Sequence, residues 1–407
     1  MKMKMNIQYK SINDVDLSGK KVLLRVDMNS PIDLEKNDLR DDPRIRAVAP
    51  TVKALNNTAL VVIAHQGRPG KKDFTSLEAH ARHLQKYVDQ KVHFVEDIFG
   101  EKAISAIKDL KVGEVIVLDN VRKFDKENET MTPEEASNTE LVQKLSPLFD
   151  YFVNDAFGAA HRSQPSIVGW PSLLAGPLVV KEIEALQKLM ENPNRPMVML
   201  VGGAKAKSKF KACKYNIEND KVDKVLVAGL TAVLLFEAKG DTLGEPNKKL
   251  VEQDLEKLHD DAKAFVEKYE SRVILPVDFA IDDGGKRKNV TPKELLEFNA
   301  AQGDIGDETI KLFKQEIINS KTSVANGPPG IFEKEIFQKG TFKLVDAMIE
   351  SGGYTVIGGG EMGTAAEETG KADDISFIST GGGAMLEFLS GKSLPLFEAF
   401  ARSVDKF

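Results

Sequence analysis

Short apolar runs recur along the whole chain, each closed by Gly, Asp, His, Asn or Arg. In the first half these are KVLLRV (21–26), ALVVIA (59–64), VHFV (92–95), EVIVLD (114–119) and YFVND (151–155). In the second they are PMVMLV (196–201), KVLVAG (224–229), RVILPV (272–277), TSVAN (322–326), YTVIG (354–358) and ISFIS (375–379). They are continuous rather than alternating in hydrophobicity and rich in Val and Ile, which predicts parallel strands covered on both faces. Helical patterns separate most of them. Thr132-Pro133-Glu134-Glu135 and Thr291-Pro292-Lys293-Glu294 each match a capping box with proline at the first helical position. The expected fold is α/β, with two doubly wound, Rossmann-like parallel-sheet domains. Val179, Ile183, Leu186 and Leu189 fall on one helical stripe ahead of the turn-forming Glu191-Asn192-Pro193-Asn194-Arg195-Pro196. This places an N-terminal domain at 1–178, a connecting helix and hinge at 179–192, and a C-terminal domain at 193–392.

The two halves end their strands differently. In the first, Asp27 and Asn29, His65 and Arg68, Arg122, and His161 with Arg162 follow strands directly. An open parallel sheet binds ligands beyond the carboxyl ends of its strands. A guanidinium fork there suits a carboxylate or phosphate. His80 and His83 have the i, i+3 spacing of a metal pair, but the polar run SLEAHARHLQKY reads as a solvated helix face. In the second half the strands end in glycine, as VGGAK, VAGL with Gly229, VANGPPG, IGGGE and STGGGA. Glycine turns that open into helices present N–H groups and a positive dipole end to phosphates. Lys205 and Lys209, at i, i+4, would meet the same phosphate chain.

No GxxxxGK[ST] occurs, which excludes a P-loop. Gly358, Gly360 and Gly363 do fit GxGxxG after a strand, the mark of a dinucleotide-binding oxidoreductase. That fingerprint needs an acid at the end of the next strand, whereas Asp373 and Asp374 precede it and Ser379 and Thr380 end it. An NADH binding test separates this reading from the other. A cationic lobe facing a phosphate-cradling lobe is the arrangement of a phosphoryl transferase with two anionic substrates.

At 407 residues the chain is long for one core. Its 42% hydrophobic and 29% charged residues are ordinary for a globular protein. The net charge of -6 argues against a nucleic-acid partner and requires an anion site to concentrate positive charge locally. Cys213 stands alone, which excludes an intramolecular disulfide and fits a reducing cytosol. The stretch MKMKMNIQYK lacks the apolar core of a leader, and no run approaches the ~20 residues of a membrane span. A cytoplasmic protein with no membrane association is expected.

RVDMNSP, DPRIRAVAPTV, HQGRP, NDAFGAAHR, GGAKAKSK, LPVDF, NGPPGIFE, IGGGE and STGGGA, in that order, resemble the phosphoglycerate kinase family across nearly the whole chain. The HQGRP and AGL forms look most like its archaeal branch. The resemblance implies reversible transfer of the 1-phosphate of 1,3-bisphosphoglycerate to Mg-ADP, giving 3-phosphoglycerate and ATP in glycolysis and gluconeogenesis. It implies that Asp27, Asn29, Arg44, His65, Arg68, Arg122 and Arg162 hold the phosphoglycerate. Arg44 matches the family's catalytic arginine, which the residue pattern alone does not single out. Lys205 matches the lysine that follows the moving phosphoryl group, and Lys209 the one on the nucleotide phosphates. Gly229, Asn326 and Glu333 match nucleotide contacts, with Glu333 on the ribose.

Gly358, Gly359, Gly360, Gly381, Gly382 and Gly383 match the phosphate loops, with Gly360 and Gly382 beside the transferring group. Glu361 stands where the family commonly has an Asp that binds magnesium, and it offers the same hard oxygen one methylene further out. Ser208 and Met362 replace the family's usual Asp and Thr. These departures favour a second reading, a non-catalytic metabolite sensor, which an assay for ATP formation separates from the first. The resemblance also implies that the tail 393–407 packs on the first domain. Arg44 and Lys205 fall in different domains, so the lobes are expected to approach each other during turnover. The expected assembly is a monomer.

Overall fold

The continuous apolar runs become parallel strands in the computed structural model, which describes residues 7–407. The first six residues of the stretch read for a leader lie outside the described residues. The chain divides into two compact units, residues 1–184 with 393–407 and residues 185–392.

In the first unit the elements run β1 (Lys21–Val26), α1 (Pro43–Ala54), β2 (Ala59–Ile63), α2 (Glu78–Gln85), β3 (Lys91–Val95), α3 (Glu101–Asp109), β4 (Glu114–Leu118), β5 (Tyr151–Asp155), β6 (Leu174–Ala175) and α4 (Pro177–Glu191). The sheet order is β3-β4-β2-β1-β5-β6, parallel throughout. The chain winds outward from β1 through β2 and then returns to β5 on the other side of β1. Such a reversal opens a crevice beyond the carboxyl ends of the two strands, and Asp27 follows β1 there. The tail joins this unit through Leu396, whose N–H donates to the Ala160 carbonyl at 3.2 Å, and through Phe397, stacked on Phe157.

Helix α4 begins with proline at its first position and buries the stripe Val179, Ile183, Leu186 and Leu189. Each such side chain contributes about 1.5–3 kcal/mol by leaving water. The division between the two units falls inside this helix, at Glu184 and Ala185.

The second unit contains β7 (Met197–Val201), α5 (Ala206–Glu218), β8 (Lys224–Val227), α6 (Gly229–Lys239), α7 (Glu252–Lys268), β9 (Val273–Ile274), β10 (Phe279–Asp283), β11 (Lys286–Val290), β12 (Asp304–Ile305), α8 (Asp307–Ile318), β13 (Thr322–Asn326), α9 (Lys339–Glu350), β14 (Tyr354–Gly358), α10 (Gly360–Glu368), β15 (Phe377–Ser379) and α11 (Gly382–Leu389). Its large sheet has the order β9-β8-β7-β13-β14-β15 and is parallel. The winding reverses between β7 and β13, so the glycine turns after these strands border the second crevice.

The sequence pattern does not reveal the antiparallel sheet β11-β10-β12. Gly284 and Gly285, with φ of 64° and 85°, make its two-residue hairpin turn. Both capping boxes form: the Thr132 and Thr291 hydroxyls accept from the Glu135 and Glu294 N–H groups, which start short helices.

The solvated face expected for His80 and His83 is contradicted. His80 is 0% exposed, with Nε2 2.9 Å from Gln66 Oε1. His83 is also buried, with Nδ1 2.7 Å from Asp42 and Nε2 3.0 Å from Asp38. Each ring finds polar partners inside, so burial needs no apolar pattern around it. Among the described residues, no group of three or more His, Cys, Asp or Glu side chains is placed to hold a metal.

Candidate active site

In the first unit, the end of β1 sets the arrangement. Arg25 is the charged interruption of an apolar strand and is 1% exposed. Its Nε donates to Ser166 Oγ at 2.9 Å, and Ser166 in turn donates its N–H and hydroxyl to the fully buried Glu127. One of its terminal nitrogens lies 3.0 Å from His65 Nδ1, while Arg162 lies 3.2 Å from His65 Nε2. Burial, then the fields of Arg25, Arg122, Arg162 and Arg44, hold the His65 pKa well below its ordinary value. A neutral imidazole accepts at only one nitrogen, yet guanidinium donors face both. An anion oxygen would relieve that mismatch.

Beyond β1, Arg44 in the first turn of α1 reaches back to Asp27, with one nitrogen 2.9 Å from each carboxylate oxygen. The Asn29 amide oxygen accepts from Gly67 N–H at 2.8 Å. Arg122 donates to the Gly67 carbonyl and is buried, which lowers its pKa to about 10. Arg68 is exposed, and its charge is felt at Arg122 and Arg162. Arg25, Arg44, Arg68, Arg122 and Arg162 against Asp27 and Glu127 leave an excess of positive charge, in a chain that is negative overall. A multivalent anion is the ligand this electrostatic imbalance fits.

In the second unit, three helices start at the ends of parallel strands with no side-chain cap: α5 after Lys205, α10 after Gly359 and α11 after Gly381. Their first N–H groups lack intrahelical partners, and their dipoles present positive ends. That is an anion cradle made of backbone. Its loops approach closely: a Cβ on Gly382 would lie 2.5 Å from the Gly359 Cα. Asn326, buried at the end of β13, donates to the Gly382 carbonyl at 3.1 Å and lies beside Gly358. Gly229 borders Gly203 backbone, so the ends of β7 and β8 meet without side chains between them.

Lys205 is exposed, whereas Lys209, one turn on, is 5% exposed and donates to the Gly202 carbonyl. Gly327, at φ 81°, makes room for that ammonium, which a Cβ there would strike. Burial pulls the Lys209 pKa down to about 8, opposed chiefly by the charge of Glu361. Glu361 itself is exposed in the first turn of α10, and Gly383 is exposed in that of α11. Met362 is 0% exposed in the core beneath α10, and Ser208 faces solvent. Glu333 is exposed in the loop after Asn326.

The strand ends do not single out Arg25 or Glu127. Arg25 carries a visible signal, a lone cation within KVLLRV. Glu127 acts from a position that no periodicity marks. A cavity of about 1170 Å³ in the first unit, bordered by Phe99, Lys102, Phe124 and Lys126, includes none of the predicted site residues. Its size alone assigns it no chemistry.

The family model described as phosphoglycerate kinase matches residues 12–392. The phosphoglycerate kinase of Methanococcus maripaludis is 41% identical over 411 residues, covering 97% of this chain and 99% of that one. That of Methanothermus fervidus is 41% identical over 410 residues, covering 98% and 99%. The crystal structure of phosphoglycerate kinase from Pyrococcus horikoshii OT3 superposes with a TM-score of 0.91 at 37% identity, covering 98% of this chain and all of that one. The Coxiella burnetii enzyme gives 0.78 at 32% identity, over 97% of this chain.

Proposed function

From the premise that this chain belongs to the phosphoglycerate kinase family, we propose that its two anion-binding crevices divide the reaction between them. The first unit holds phosphoglycerate, and the second holds the nucleotide. The reaction is reversible phosphoryl transfer from 1,3-bisphosphoglycerate to Mg-ADP, giving 3-phosphoglycerate and ATP. The observation that carries the division is the contrast in donors: the guanidinium groups of buried Arg25 and half-buried Arg162 around His65 in one unit, uncapped helix N-termini in the other.

Both nucleophiles, an ADP phosphate oxygen and the carboxylate of 3-phosphoglycerate, are ionised near neutral pH, so no general base is required. Catalysis then rests on alignment and on neutralising charge in the transferring group. Arg122, Arg162 and His65 orient the phosphoglycerate, with Asp27, Asn29 and Arg68 around them. Arg44 and Lys205 supply positive charge to the moving phosphoryl, and the amides near Gly360 and Gly382 bind its oxygens. Lys209 serves the nucleotide phosphates, with Gly229, Asn326 and Glu333 as further nucleotide contacts. Bound magnesium supplies charge neutralisation at the nucleotide phosphates. Glu361 would hold it, as an exposed hard-oxygen donor in the first turn of α10.

No described helix is long and apolar enough to cross a membrane. We further propose a monomer, and a cytoplasmic location consistent with a glycolytic reaction and with the buried thiol of Cys213.

An assay coupled to ATP formation tests the reading. Given 1,3-bisphosphoglycerate and Mg-ADP, the purified chain is expected to turn over at roughly 1–10³ s⁻¹; no ATP would refute the assignment. The same assay has an expected pH dependence. Lys209 loses its proton in the free chain as pH rises through about 8, whereas bound polyphosphate keeps it charged. The KM for ADP therefore rises above pH 8, by up to roughly tenfold per unit. Lys209→Arg, charged throughout, should flatten that rise. An unchanged slope would remove Lys209 from the nucleotide site.

A further inference from the structure

Asp155 closes β5 at 2% exposure, and nothing above gives it a part in binding or transfer. Its Oδ2 accepts from the Thr51 hydroxyl at 2.5 Å, and its Oδ1 accepts from the Val179 N–H at 3.0 Å. The Leu178 N–H also bonds to it. Thr51 belongs to α1, while Leu178 and Val179 belong to the first turn of α4, so one carboxylate joins three elements.

Arg44 and Thr51 lie seven residues apart, two helical turns, on the same face of α1. That separation is roughly 10 Å along the axis. Asp27 holds the same face at its other end, through Arg44. β1 and β5 are neighbours in register, with Val26 opposite Asp155. Adjacent strand ends thus grip α1 at two points, and the second point also grips the helix that leads into the other unit. Gly176 leaves room for this, since a Cβ there would lie 2.4 Å from the Asp155 carboxyl.

Keeping this group ionised is unfavourable to the fold. Burial raises its pKa to about 6, against the opposing hydrogen bonds from Thr51, Val179 and Leu178 and the charge of Lys181 on α4. The ordinary value is 3.8, so the folded chain binds the extra proton and stability falls as pH rises through the interval between them. A neutral side chain would serve a purely structural joint at less expense. A charge retained where it opposes stability is a mark of function.

We propose that Asp155 is a positioning residue for phosphoryl transfer, its carboxylate fixing α1, and with it Arg44, to the first turn of α4. The inference rests on the phosphoryl-transfer reading above. Lys181 is the charged group facing the carboxylate from α4, and α1 faces it with the neutral Thr51 hydroxyl.

The test is steady-state kinetics of the full chain with 3-phosphoglycerate and Mg-ATP from pH 5 to 9, for wild type, Asp155→Asn and Thr51→Val. Wild-type kcat is expected to fall below about pH 6 as Asp155 takes up a proton. Asp155→Asn is expected to lower kcat about 10- to 100-fold, the scale of a small misplacement of a reacting group. Its KM for 3-phosphoglycerate should stay within about threefold, and the acid limb should shrink to the part set by the substrate phosphates, which themselves titrate at about pH 6. Thr51→Val keeps the carboxylate and its bonds to α4, so it should lower kcat less and move the acid limb to higher pH. Wild-type kcat in Asp155→Asn, or an acid limb there unchanged from wild type, would overturn the proposal. If Asp155→Asn does not fold, Thr51→Val decides: unchanged kcat with an unshifted limb overturns it. A wild-type chain with no activity would instead refute the reaction itself.

Discussion

Replacing Arg44 by alanine is expected to lower kcat by about 10²- to 10³-fold, the usual effect of removing a donor aimed at transition-state charge. The KM for 3-phosphoglycerate should change by less than about threefold, because Arg122, Arg162 and His65 remain to hold the ground state. The geometry supports that split. Arg44 is partly exposed and bonded to the Asp27 carboxylate, whereas Arg122 is buried and fixed to backbone. A half-exposed pair of this kind contributes roughly 0–1 kcal/mol to stability, so the variant should fold. Initial rates over a range of 3-phosphoglycerate settle it. A large rise in KM at unchanged kcat would make Arg44 a holding residue.

The second large effect is expected at Gly360. A Cβ there meets no atom within 4 Å, and its φ is not in the left-handed region. The fold therefore gives no reason for glycine at this position, and alanine in the first turn of α10 should leave stability equal or raise it by about 0.5–1 kcal/mol. The space it would fill is the approach to the uncapped N-terminus of α10. A methyl group in the way of a phosphate costs roughly 1–3 kcal/mol, or about 5- to 150-fold in nucleotide affinity. Calorimetric titration with Mg-ADP measures this, and affinity for 3-phosphoglycerate should be unchanged. Equal ADP affinity in Gly360→Ala would mean that the phosphates lie elsewhere.

Much of the architecture was legible because buried parallel strands carry their own signature. Lys21–Val26, Tyr151–Asp155, Thr322–Asn326 and Tyr354–Gly358 form strands at the limits their apolar runs suggest. RVILPV did not extend beyond Val273–Ile274. β11, in the hairpin after it, carries no apolar run, because KRKNV is mostly charged and only Val290 is buried. Candidate residues stand out in the sequence where a polar side chain follows an apolar run, as with Asp27 and His65, whereas Asn326 came forward through the family resemblance. Arg44 opens a helix rather than closing a strand, so only the family resemblance brought it forward. His80 and His83 were misplaced because their burial is sustained by Gln66, Asp38 and Asp42, partners remote in sequence. Polar pattern reports exposure only when no such partner waits inside.

The most direct test of the two-crevice division is a crystal structure of the chain with 3-phosphoglycerate and a non-hydrolysable Mg-ATP analogue. Guanidinium nitrogens of Arg122 and Arg162 should lie within about 3.2 Å of phosphoglycerate oxygens, with the nucleotide phosphates at the same range from the first N–H groups of α10 and α11. Phosphoglycerate seated on the glycine loops, or a nucleotide phosphate chain among Arg25, His65 and Arg162, would contradict it.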